Sequence, residues 1–174
     1  MARNRRTVVR AQSARRKRVW ARENFEIVPS GAGVEIDLMA DYKTRRGITS
    51  IEPGCTVGGL LLDFNVVQTN GRAAPEDGFH LGVIVENSDP ASGVPRPSPS
   101  AGLHADWMWL QWIGAPALAT GSSIGTFEAI GGPIRVRSMR RMDEVGMNLF
   151  MVAQSRGLTA YTVTGTASVL LLMP

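Results

Sequence analysis

The sequence predicts an all-β fold, an antiparallel β-sandwich, and three observations predict it. From Phe25 onward the apolar residues recur with a period of two rather than the helical period of about 3.6. Turn-forming residues, drawn from 19 glycines and 10 prolines, interrupt those runs at roughly ten-residue spacing. No stretch carries an apolar helical stripe longer than one turn. A strongly basic leader running directly into the first strand selects the single jelly roll among the sandwiches. The 174 residues suffice for one domain of about 150 residues plus that leader. The expected division is residues 1–24 as a basic N-terminal arm and residues 25–174 as the sandwich.

The arm organises the rest. Nine cationic side chains precede the first acid, Glu23: Arg3, Arg5, Arg6, Arg10, Arg15, Arg16, Lys17, Arg18 and Arg22. Residues 1–24 therefore carry a net charge of +8, whereas the whole chain carries +4, so residues 25–174 are net −4. Crowded like charges, with only Val8, Val9, Val19 and Trp20 as sizeable apolar groups, cannot offset chain entropy by burial. The arm is expected to order only against a polyanion or a neighbouring subunit. Arginine outnumbers lysine eight to one there, which suits phosphate, because guanidinium makes forked hydrogen bonds and is weakly hydrated. Such binding releases counterions and weakens steeply with salt. Packing on neighbouring protein subunits is the competing reading, and a targeting peptide or a solvated tail is a third. No apolar core follows the charges, which argues against a secretory signal, although the composition is also that of a mitochondrial transit peptide.

The body reads strand by strand. Val34, Ile36 and Leu38 alternate with polar residues on a first short strand. Gly47–Ile51 reads as another, ended by Glu52-Pro53-Gly54. Leu60, Leu62, Phe64 and Val66 form one inward row, closed by Asn70-Gly71. Phe79, Leu81, Val83 and Val85 form the next, with His80, Gly82, Ile84 and Glu86 outward. Residues 87–102 hold four prolines and four serines and read as a long surface loop, either an insertion or a contact with another subunit or a host. Trp107, Trp109 and Trp112 follow on one strand. Trp107 and Trp109 are expected on one face, and Met108, Leu110 and Trp112 on the other, a strand covered by the core on one side and a neighbour on the other. Gly114–Gly132 is glycine-rich, with a short strand at Ser123–Glu128. Ile134–Arg137 alternates and leads into a second basic cluster, Arg135, Arg137, Arg140 and Arg141, beside Asp143 and Glu144. Arg137, Arg140 and Arg141, with the three tryptophans, are candidates for a subunit interface, local ion pairing being the simpler role for the arginines. Asn148–Ala153, a turn at Ser155-Arg156-Gly157 and the long alternating run from Tyr161 through Leu171 read as a closing hairpin.

Chemistry is sparse. Cys55 is the single cysteine, which excludes an intrachain disulfide and a thiolate zinc site and reads as a small apolar residue on a strand. His80 and His104 lack partners at metal-ligand spacing. No nucleophile elbow, zinc-protease, Walker or dinucleotide motif is present, and Gly31-Ala32-Gly33 lacks the flanking strand and helix that a nucleotide loop needs. The expectation is a non-enzyme with no catalytic residue, no metal and no cofactor. No apolar run reaches the length of about 18 residues that a membrane helix needs.

Arg15-Arg16-Lys17-Arg18-x-Trp20, the segment Arg137-Ser138-Met139-Arg140-Arg141-Met142 and the closing strand through Leu172 resemble a family of short virion structural proteins. These are encoded by small bacteriophages, proviruses and viral metagenomes. They share an R-x-K-R-x-x-W-like opening, here one residue shorter before the tryptophan, an alternating β body and a late R-S-M-R-K/R segment. The resemblance implies a capsid subunit or a decoration or tail-associated protein, residing in a virion assembled in a bacterial cytoplasm. Residues and resemblance together lead to a self-assembling shell subunit whose arm contacts nucleic acid or threads under neighbours. Its partners would be copies of itself, nucleic acid and other virion proteins, with no membrane. The alternatives are a decoration or tail protein docking through the arm, and a free single-strand-binding β module using Trp107, Trp109 and the arginines at 135–141.

Overall fold

The computed structural model describes residues 16–68, 77–87, 107–114, 127–129, 133–143, 146–157 and 160–174. In chain order these form β1 (Arg18–Ile27), β2 (Val34–Asp37), α1 (Ala40–Arg46), β3 (Thr56–Gln68), β4 (Gly78–Asn87), β5 (Trp107–Gly114), β6 (Phe127–Ala129), β7 (Ile134–Arg141), β8 (Met147–Arg156) and β9 (Tyr161–Leu172). Arg3, Arg5, Arg6, Arg10, Arg15, His104 and all of the 87–102 loop but Asn87 lie outside the described residues. β1 takes in Arg18–Asn24, which the charge distribution assigns to the arm.

The strands pair antiparallel in two sheets, β1-β9-β3 extended by β6 and β7, and β2-β8-β4-β5. β7 pairs with Thr56–Leu62 of β3 and β6 with Asn65–Val67, while β9 runs along the opposite edge of β3, so β6 and β7 are two pieces of one edge strand. Counted as one, they complete a simple rule. The first strand pairs with the last, the second with the second-last, the third with the third-last, and the middle two with each other. That is the pairing of a single long hairpin wound around a core, the jelly roll.

The period of two explains where the core sits. Leu60, Leu62, Phe64 and Val66 of β3 and Tyr161, Val163, Ala167, Val169 and Leu171 of β9 are buried from one sheet. Phe79, Leu81, Val83 and Val85 of β4 and Leu149, Met151 and Ala153 of β8 are buried from the other. The two inner faces stack into one cluster, with Phe79 tilted on Tyr161 at 5.1 Å between centroids. The expected closing hairpin does not form. β8 pairs with β2 and β4, and β9 pairs with β1 and β3. Both strands carry apolar inward rows, Leu149, Met151 and Ala153 in β8 and Val163, Ala167, Val169 and Leu171 in β9, and such rows bury more surface facing each other across the core than lying side by side.

Gly47–Ile51 is not a strand. Gly47, in the left-handed region at φ 66°, terminates α1, and its N–H and that of Ile48 close on the Thr44 and Lys43 carbonyls. Ile51 then drops into the core from a loop. α1 itself exceeds the single turn expected. Tyr42 is its one buried residue, so it has no apolar stripe for a sequence pattern to reveal. Polar contacts hold it instead. Lys43 pairs with Asp37 of β2 and donates to Asn148 Oδ1 of β8 at 2.9 Å, while the Asp41 N–H donates to Glu23 Oε2 of β1 at 2.8 Å. Cys55 is buried just ahead of β3, its Sγ 3.5 Å from the sulfur of Met173.

Candidate nucleic-acid and subunit-contact surfaces

The two arginine clusters, far apart in sequence, meet on one sheet. In β1, Val19, Ala21 and Phe25 turn inward, which sends Arg18, Trp20 and Arg22 to the outer face, all exposed. In β7, Ile134 and Val136 pack on the core and Arg135 and Arg137 face out, also exposed. Cross-strand partners share a face, so the register lays out three rows across four strands. Arg22, Ser168, Leu61 and Arg135 form one row; Trp20, Leu170, Gly59 and Arg137 the next; Arg18, Leu172, Thr56 and Arg141 the third. Arginine ends every row on the β7 side and two of three on the β1 side, and no acid stands in any row. Arg16 adds a further guanidinium, its Nη1 donating to Thr56 Oγ1 at 3.1 Å. The edges are three strand spacings apart, about 14 Å. Acids and amides occupy the opposite end of the same face, where Asn24, Glu26, Asn65, Thr164 and Thr166 line a shallow polar hollow beside Asp63.

A bulge shapes the basic end. Gly58 has no partner in β9, and Ser138 and Met139 fall opposite it in β7. A Cβ at Gly58 would press on the Leu172 side chain at 3.2 Å. The irregularity leaves Met139 69% exposed, close to the 61% of Trp20. Of the expected interface arginines, Arg137 is exposed on the outer face and Arg140 is half-buried. Arg141 pairs with Asp143 at 2.6 Å, with both side chains well exposed, so local ion pairing holds for this one.

The tryptophans on β5 belong to the other sheet, and their expected arrangement is corrected. A register shift between Val83 and Ile84 sets Trp107 opposite Ile84 and Trp109 opposite Val83, so the two do not share a face. Trp109 turns inward, meeting Phe64 edge-on at 6.3 Å. Trp107 and Trp112 lie outward over β4, where glycines make the space: a Cβ on Gly82 would sit 2.5 Å from the Trp107 ring, and one on Gly78 2.7 Å from that of Trp112. His80, between those glycines, is therefore 4% exposed rather than solvated, its ring 4.7 Å from that of Trp112. Burial pushes the imidazole below its ordinary pKa, and the nearby Arg156 guanidinium adds to the shift. Trp112 remains 41% exposed. Trp109 points into the core, and Trp107 and the outward arginines of β7 lie on the outer faces of different sheets, so they do not share a sheet face. The tryptophan that shares a face with Arg135 and Arg137 is Trp20, which composition alone places among the arm's few apolar groups.

No three His, Cys, Asp or Glu side chains converge as a metal site among the described residues. No helix there is long and apolar enough to cross a membrane.

No family model matches the chain, and neither does any curated protein. Among solved structures it is similar to that of turnip yellow mosaic virus, with 13% identity and a TM-score of 0.32 over 88% of this chain and 93% of that one. It is also similar to the structure of infectious bursal disease virus Gx strain, with 12% identity and a TM-score of 0.33 over 88% of this chain. Only 32% of that longer chain is covered.

Proposed function

We propose that this protein is a structural, non-enzymatic subunit of a virus particle, a jelly roll that assembles with copies of itself. Its arginine-rich leader faces the packaged nucleic acid. The observation that carries the reading is the union of two features in one chain: the wound-hairpin strand order, and a leader of residues 1–17, net +7, that enters it at the edge strand β1. The leader departs from the sandwich at Lys17, whose carbonyl accepts the Met173 N–H at 2.8 Å. From that corner a polycation can reach phosphates while residues 18–174, net −3, carry more acid than base. Exposed apolar side chains at Val28, Trp112 and Met139 supply surface for contacts between subunits.

The test is negative-stain microscopy of the purified full-length protein, with an absorbance ratio for co-purifying nucleic acid. Closed particles carrying nucleic acid are expected. Removing residues 1–15 should leave the body folded and lower the nucleic-acid content of the particles. Full-length protein that stays monomeric at high concentration and physiological salt would overturn the shell reading. Assembly only in the presence of another virion protein would move the chain to the decoration class.

A further inference from the structure

We infer that the outer face of the β1-β9-β3-β7 sheet is itself a binding platform for single-stranded nucleic acid, with Trp20 as its base-stacking group. This rests on the proposed role above and extends it from the leader to the folded body. The face has the two properties such a platform needs. The first is cationic edges, Arg18 and Arg22 on one side and Arg135 and Arg137 on the other, about 14 Å apart, with no acid in the rows between them. The second is an exposed indole, Trp20, set between Arg18 and Arg22 on the same strand face and opposite Leu170. An indole left 61% exposed in the middle of a guanidinium row contributes little to folding. It is well placed to receive an unstacked base while the flanking arginines hold the phosphates. Paired bases in a duplex are already stacked and cannot reach it, so the preference is for single strands.

Charge segregation gives the strand a direction of entry. The leader leaves β1 at the basic end, beside Arg16 and Thr56, and Glu26 and Asp63 mark the opposite end. A single strand is therefore held on the basic half of the sheet and repelled from the rest.

The experiment measures binding of a fluorescent twelve-nucleotide oligothymidylate and oligouridylate, and of a duplex of equal length, to full-length protein across a salt series. Three variants are compared: W20A, R135Q/R137Q and the leader variant R5Q/R6Q/R10Q. All the substituted body residues are exposed, so melting curves should match wild type. W20A should weaken single-strand binding roughly five- to hundredfold and leave duplex binding unchanged. R135Q/R137Q should reduce the slope of log K against log salt by about 1.4, at about 0.7 per phosphate contact. If only R5Q/R6Q/R10Q weakens binding, the leader acts alone and the platform is wrong, although the genome-facing leader stands. If wild type binds no oligonucleotide even at low salt, both fail. If W20A binds normally but no longer forms particles, the face is a contact between subunits and the platform is again wrong.

Discussion

Gly78 and Gly82 show how single residues decide a surface. Each lacks the Cβ that would strike an indole, and their absence of side chain lets Trp112 and Trp107 lie on β4, the Trp112 ring against His80. G82V should therefore cost about 1–3 kcal/mol in urea unfolding, since the Trp107 ring must move. G165A should cost at least as much. Its Cβ would meet the Asp63 carbonyl at 2.3 Å and the Phe64 Cα at 2.7 Å, and β3 and β9 would have to part. G31A, with nothing within 4 Å, is the matched control and should be close to neutral. His80 carries a pH dependence whose sign follows from its surroundings. Its pKa is depressed in the folded state by burial and by Arg156, so the unfolded chain takes up a proton first. Stability should fall as pH drops through the unfolded value of about 6.5 and stay level above it. H80F should flatten that part of the profile, which melting temperatures between pH 5 and 8 will check. Cys55 is buried and its thiol is pushed up by desolvation, with Glu52 adding to the shift. It should resist thiol reagents until the protein unfolds.

At the scale of the element, legibility in the sequence tracked how each element is held. β3 and β9 were legible because burial alternates along them, and β4 because its apolar row has a period of two, although residues 78–85 are buried on both faces. α1 was not, because Lys43, Asp37, Asn148 and Glu23 fix it through polar contacts that leave no periodic trace. Replacing Lys43 by methionine should cost about 2 kcal/mol, because it strands the half-buried Asp37 carboxylate. Adding Asp37→Asn should recover part of that loss, a coupling that a double-mutant cycle can measure. The tryptophan strand was half legible. Its apolar character on both faces was plain, but the bulge that separates Trp107 from Trp109 depends on the partner strand and is invisible in β5 alone. The candidate basic surface failed to show for a related reason. Arg18 and Arg135 are neighbours only through the intervening β9 and β3, and strand order is not written in local pattern.

For the whole molecule, the wound hairpin determines which distant segments share a face, and the functional proposal depends on it. Removing residues 1–15 should change the melting temperature by no more than a degree or two, since the core draws on none of their described neighbours upstream of Val19. The same deletion should still bind single strands weakly if the sheet platform exists. The pairing of Arg18 with Leu172 has a further consequence in time. A ribosome releases β1 early and β9 at the close of this sequence, and long-range pairings of this kind form slowly. Until β9 arrives to sit between β1 and β3, Trp20 and Arg22 have no sheet on which to align with Arg135 and Arg137. On the proposed role, synthesis and cargo capture are thereby ordered: the sheet half of the grip exists only once β9 has paired with β1 and β3.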